Sequence, residues 1–188
     1  FDQNEQIDPV LSFMREDGRY YPYDLRHNLI DQMKPLKKKF PDYASFKDAS
    51  VEQMFTNEQL EASVVREVTN LSSAVFLSQP DGTYTYESLP LKAQFAPIYA
   101  LAVGDFDGDG DIDALAGGNL YKTKPEIGRY DALQGVYLEN DGKGHFSIPQ
   151  GGRGFKLGGE IRSILTLDNK IVVGRNSDTL ALFNYAKN

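Results

Sequence analysis

The chain contains no cysteine, which excludes disulfides, cysteine-ligated zinc and thiol catalysis. Histidine is almost as scarce: His27 and His145 sit in unrelated contexts, so the sequence builds no obvious nucleophile–histidine arrangement. There is no Gly-x-Ser-x-Gly elbow, no Gly-x-Gly-x-x-Gly turn and no phosphate-binding loop. No stretch approaches the ~20 apolar residues of a membrane-crossing helix, and no signal peptide is recognisable. Basic residues are outnumbered, 20 against 27 acidic, and the net charge of −7 argues against nucleic acid or an anionic membrane as partner.

What is present is a chain of 188 residues, 40% hydrophobic, long enough to bury a core. Its most informative stretch is Asp105-Phe106-Asp107-Gly108-Asp109-Gly110-Asp111-Ile112-Asp113. Carboxylates so close together repel one another unless a cation sits between them. A set of hard oxygen donors suits Ca²⁺, which takes 6–8 of them, better than Zn²⁺. The alternating spacing turns Asp105, Asp107 and Asp109 inward, Gly110 permits the sharp turn, Asp111 offers its backbone carbonyl, and Asp113 closes the site. The plain alternative is an acidic surface turn, but solvated turns rarely repeat Asp on alternate positions.

An EF-hand would need Glu at position 12 and a helix on each side. Position 12 here is Ala116, and the flanks Tyr99–Val103 and Ala114–Gly118 are short, apolar and bounded by glycine. They read as the two strands of a hairpin.

The first eight residues echo this loop without gaps. Phe1 aligns with Phe106, Asp2 with Asp107, Asn4 with Asp109, Ile7 with Ile112 and Asp8 with Asp113. Glu5 stands where the loop glycine belongs, so Asp2, Asn4 and Asp8 are read as a weak or truncated second metal loop, in a chain that opens inside a motif. Two further stretches repeat each other: Val75-Phe76-Leu77 to Asp81-Gly82-Thr83-Tyr84, and Val136-Tyr137-Leu138 to Asp141-Gly142 and Phe146. Each is an apolar strand, an Asp-Gly turn and an aromatic opening the return strand, a strong hairpin signal.

Internal repeats of this kind decide architecture. The pattern predicts a mainly β chain with a small α-helical insertion. The loop, closed at position 9 with a strand on each side, resembles the calcium loop of FG-GAP/VCBS repeats, which implies a partial β-propeller of about two and a half four-stranded blades. Residues 1–23 carry the end of the degenerate loop and strands of a first blade, 24–70 the insertion, and 71–96 the last hairpin of that blade. Residues 97–159 form a complete blade with the calcium loop, and 160–188 a partial last blade. Within 24–70, Asp24 or Asn28 is expected to cap one helix and Thr56 or Asn57 another, with a capping box from Ser50 to Gln53. Lys34, Lys37, Lys38 and Lys39 form a basic cluster there, read as a solvated helix face before an acidic partner's site.

Between the second and third strands of the complete blade runs a long connection bearing Tyr121, Glu126, Arg129, Tyr130 and Asp131. Its aromatic, cationic and acidic groups suit a ligand loop, and loops on a rigid scaffold often carry function. The competing reading is that Arg129 pairs with Glu126 or Asp131 and holds the loop shut.

Together, Phe1–Val10, Leu36–Phe40, Asp105–Asp113, Lys124–Ala132 and the Asp-Gly hairpins resemble the C-terminal part of bacterial FG-GAP/VCBS-repeat proteins of the ASPIC/UnbV type, related to cartilage acidic protein. The resemblance implies a calcium-stabilised propeller on the cell surface or in the periplasm, and no known reaction. The millimolar calcium usual for extracellular modules also favours an extracytoplasmic address. The leading expectation is therefore a binding or scaffold module with structural Ca²⁺ and no enzymatic activity. Its expected partners are other blades of the parent propeller, a protein or glycan ligand, and a second copy through exposed sheet edges. The rival is a carbohydrate-active hydrolase or glycan-binding component using loop carboxylates such as Glu126 and Asp131.

Overall fold

A computed structural model describes residues 6–125 and 127–185. Strand outweighs helix, 31% against 18%, so the fold is mainly β, in several small antiparallel sheets of which none closes. The chain divides into two compact units, Phe1–Val68 and Thr69–Asn188.

The first unit pairs β1 (Ser12–Met14) with β2 (Tyr20–Pro22) and then runs through five short helices. These are α1 (Arg26–Gln32), α2 (Leu36–Lys39), α3 (Tyr43–Phe46), α4 (Val51–Met54) and α5 (Asn57–Glu61). The chain restarts so often because breakers and caps alternate. Pro35 precedes α2, and the side chains of Asp42 and Thr56 accept the backbone N–H of Ser45 and Gln59. At α4 the Gln53 side chain accepts the Ser50 N–H at 2.9 Å, the reciprocal half of the expected box. The start of α1 differs from expectation: Leu25 occupies the cap position and no side chain caps it. Leu29, Ile30, Met33, Leu36, Phe40, Phe46, Met54 and Phe55 bury against one another, giving this unit its own core. β1 pairs with β2 within this unit, whereas the hairpin expected to share its blade forms a separate sheet.

The second unit opens with that hairpin, β3 (Ala74–Ser78) and β4 (Tyr84–Ser88). A four-stranded sheet follows in sequence order: β5 (Ile98–Gly104), β6 (Asp113–Gly118), β7 (Val136–Asn140) and β8 (Phe146–Ser147). A three-stranded meander closes it: β9 (Ile161–Leu167), β10 (Lys170–Arg175) and β11 (Ala181–Asn184). One sheet thus has the four strands expected of a blade, and the others have two or three.

Every residue of β6 is buried, because alternate side chains enter two different cores. Leu115, with Ala100, Phe106 and Tyr137, packs on Ile161, Ile164, Ile171 and Val173 of the β9–β11 sheet. Ala114 and Ala116 face the other way, with Leu133, Val136 and Leu138, onto Ala93 and Ala96. The small residues of β6 permit this close stacking: a Cβ on Gly117 would lie 2.6 Å from the Ile161 side chain. The sheets' outer surfaces remain apolar and open, with Tyr99, Leu101 and Val103 exposed on β5 and Leu165 and Leu182 on the meander.

Candidate metal centre

The acidic loop joins β5 to β6, and the pairing of Gly104 with Asp113 closes its base. Gly108 and Gly110 take positive φ, 84° and 95°, where an L side chain would be strained. Those turns let backbone amides face inward. Asp105 accepts the N–H of Gly108 at 2.7 Å and of Gly110 at 3.2 Å, while Asp107 and Asp109 accept the N–H two residues on. The amides fix the carboxylates in place.

Asp105, Asp107 and Asp109 converge, each offering an oxygen within 4.8 Å of the others. Calcium–oxygen bonds of about 2.3–2.6 Å put opposite ligands roughly 5 Å apart, so this donor set fits a cation of that size. Asp113 lies outside the trio. It is fully buried, and its carboxylate accepts the Phe106 N–H at 3.2 Å, the Tyr137 hydroxyl at 2.6 Å and the Asn140 N–H at 3.0 Å. Burial, and then the bond to Asp113, push the Tyr137 phenol far above its ordinary pKa, so it stays protonated as a donor.

Electrostatics divide the loop. Burial disfavours the charged form of Asp107, yet the Asp109 N–H and the Arg153 guanidinium outweigh it and hold that carboxyl below its usual value. Asp111 is shifted the opposite way, first by burial and then by repulsion from Asp109, Asp141, Asp113 and Asp105. The site therefore carries uncompensated negative charge at its Asp111 side and a cation at its Asp107 side.

Arg153 is a participant that the sequence did not mark. From the 3-10 turn Gln150–Gly154 it reaches Asp107 at 2.9 Å and Glu139 at 2.6 Å, with its guanidinium 5.8 Å from the Tyr137 ring centre. Forty residues separate it from the loop, and no local pattern announces the contact.

Of the weak second loop, Asp2 and Asn4 lie outside the described residues, and Asp8 is half-buried in the first unit. In the basic cluster all four lysines are exposed; Lys34 pairs with Asp31 and Lys39 donates to the Met54 carbonyl.

In the expected ligand loop, Leu120 and Tyr130 exchange both backbone hydrogen bonds and pinch the connection at its neck. The Arg129 guanidinium stacks over the Tyr121 ring at 5.2 Å, and Asp131 is exposed. Glu126 lies outside the described residues. Beneath this loop is a second polar construction that sequence reasoning missed. Asn119, fully buried with φ 76°, donates to the carbonyls of Leu133 and Gly159 and accepts the Leu133 N–H. Glu160, only 5% exposed, accepts the Tyr121 N–H and pairs with Arg162, both at 2.9 Å. Arg162 in turn donates to the Asn119 carbonyl and lies over the Tyr99 ring.

No described helix is long and apolar enough to cross a membrane. The chain matches no family model, no curated protein and no solved structure.

Proposed function

We propose that this chain is a calcium-stabilised, extracytoplasmic β-propeller part that serves as a binding or scaffold module, its calcium being structural. The observation that carries the reading is the convergence of Asp105, Asp107 and Asp109 in a loop whose amides hold the carboxylates in position. Asp105, Asp107 and Asp109 would supply side-chain oxygens, Asp111 its carbonyl, and Asp113 the oxygen that accepts only one hydrogen bond. Bound there, Ca²⁺ would neutralise mutually repelling carboxylates and pin the β5–β6 turn.

The propeller reading of FG-GAP/VCBS type rests on two further features. Two consecutive meander sheets stack face to face, and the acidic loop links the first two strands of the four-stranded one. Exposed apolar side chains on β5 and on the outer face of β9–β11 are the surfaces that neighbouring blades, or a second copy of the chain, would cover. Light scattering across a concentration series would reveal the homodimer as a rising mass.

Calorimetric titration with calcium tests the metal. Heat of binding at millimolar calcium is expected from the intact chain and is lost in Asp109→Ala. Absence of heat in the intact chain would end the reading.

A further inference from the structure

We propose that Arg153 is the built-in counter-ion of the acidic loop, and that a divalent cation must compete with it for Asp107. The inference rests on the calcium reading above and goes beyond it by naming the group that sets the affinity.

Both oxygens of Asp107 are engaged, one by the Asp109 N–H at 3.2 Å and the other by Arg153 at 2.9 Å. The Asp107 side chain is only 4% exposed, so the carboxylate end of the pair is shielded from water, while the Arg153 side chain is half exposed. The same guanidinium binds Glu139 on β7, which ties the loop to the neighbouring strand. Arg153 does this from a left-handed backbone conformation, φ 46°, that a non-glycine residue adopts only when its surroundings hold it there. A guanidinium draws electron density from the carboxylate it binds and repels an arriving cation. Affinity in oxygen-ligand loops follows ligand charge and rigidity. Arg153 therefore keeps the loop ordered without metal and makes metal binding weaker than five aspartates would give alone.

Calcium titration of the full chain, with parallel melts in chelator, tests the competition. Arg153→Gln is expected to bind calcium about tenfold more tightly than the parent, because the positive charge 2.9 Å from Asp107 is removed. In chelator the same variant is expected to melt at a lower temperature. Lys143→Gln removes an equal charge from an exposed position on the β7–β8 turn and should change affinity by less than about twofold. Arg153→Lys keeps the charge without the forked geometry and should fall between parent and Arg153→Gln. It also carries the test if Arg153→Gln fails to fold. Unchanged or weaker calcium binding in either Arg153 variant overturns the proposal, as does equal tightening in Lys143→Gln. A parent chain that takes up no calcium overturns the metal reading first, an outcome distinct from binding that ignores Arg153.

Discussion

Strand β6 begins and ends in polar clusters of opposite design. At its start, five aspartates within nine residues concentrate negative charge, of which Arg153 pairs with Asp107 alone. At its end, Asn119, Glu160 and Arg162 satisfy one another and the backbone, in a buried network that needs nothing added. The first is the proposed metal site, and the second holds the 121–131 loop to the sheet. Concentrated like charge repels itself, and the proposed calcium would relieve that repulsion, whereas paired and saturated polar groups give internal support.

The sharpest break in this comparison comes from Asn119. Asn119→Ala removes three buried hydrogen bonds and places a Cβ-constrained residue at φ 76°, so a loss of about 3–4 kcal/mol is expected by denaturant titration, with or without calcium. Asn119→Gly, which relieves the backbone strain alone, should recover about 1 kcal/mol of that.

Asp113 belongs to both designs and tests where they meet. Asp113→Ala leaves the Tyr137 hydroxyl and two backbone amides without their acceptor, and a cost of about 2–4 kcal/mol should appear even in chelator. Asp109→Ala should behave differently: metal-free stability changes by less than about 1 kcal/mol, while the rise in melting temperature on adding calcium disappears. If both variants lose stability equally in chelator, the division of the loop into binding and supporting carboxylates is wrong.

Between the two ends lies the close stacking of β6 on β9. Gly117→Ala should cost about 1–3 kcal/mol, because the added methyl meets the branched Ile161 side chain inside a filled core. A neutral result would mean that the two sheets separate more easily than their burial indicates.

The smallest expected effect is a pH dependence at the surface. The hydrogen bond to Glu87 at 2.7 Å, then its charge and that of Asp141, raise the His145 pKa. Protonated His145 therefore stabilises the fold below the ordinary histidine value near 6.5, and that contribution fades as pH rises through the raised folded-state value. A slightly lower melting temperature at pH 8.5 than at pH 6 is expected, and Glu87→Gln should flatten the difference. His145 is largely exposed and Glu87 about a third exposed, which keeps the effect small.

These contrasts also separate what could be read in the residues from what could not. Local, periodic features were legible. Alternating Asp with Gly110 marked the loop, Asp-Gly pairs marked the hairpins at 81–82 and 141–142, and apolar runs marked β5, β6, β9 and β10 near their observed bounds. Capping chemistry at Ser50 and Thr56 located two of the five helices. Sequence alone determined these because a turn or a cap is decided by a few neighbouring side chains acting on their own backbone. Only the tertiary structure decided that β1 pairs with β2 inside a separate helical unit, and that Arg153 reaches Asp107 across more than forty residues. It alone decided that Asn119, Glu160 and Arg162 share one buried network, since chain packing fixes which distant polar groups leave water together.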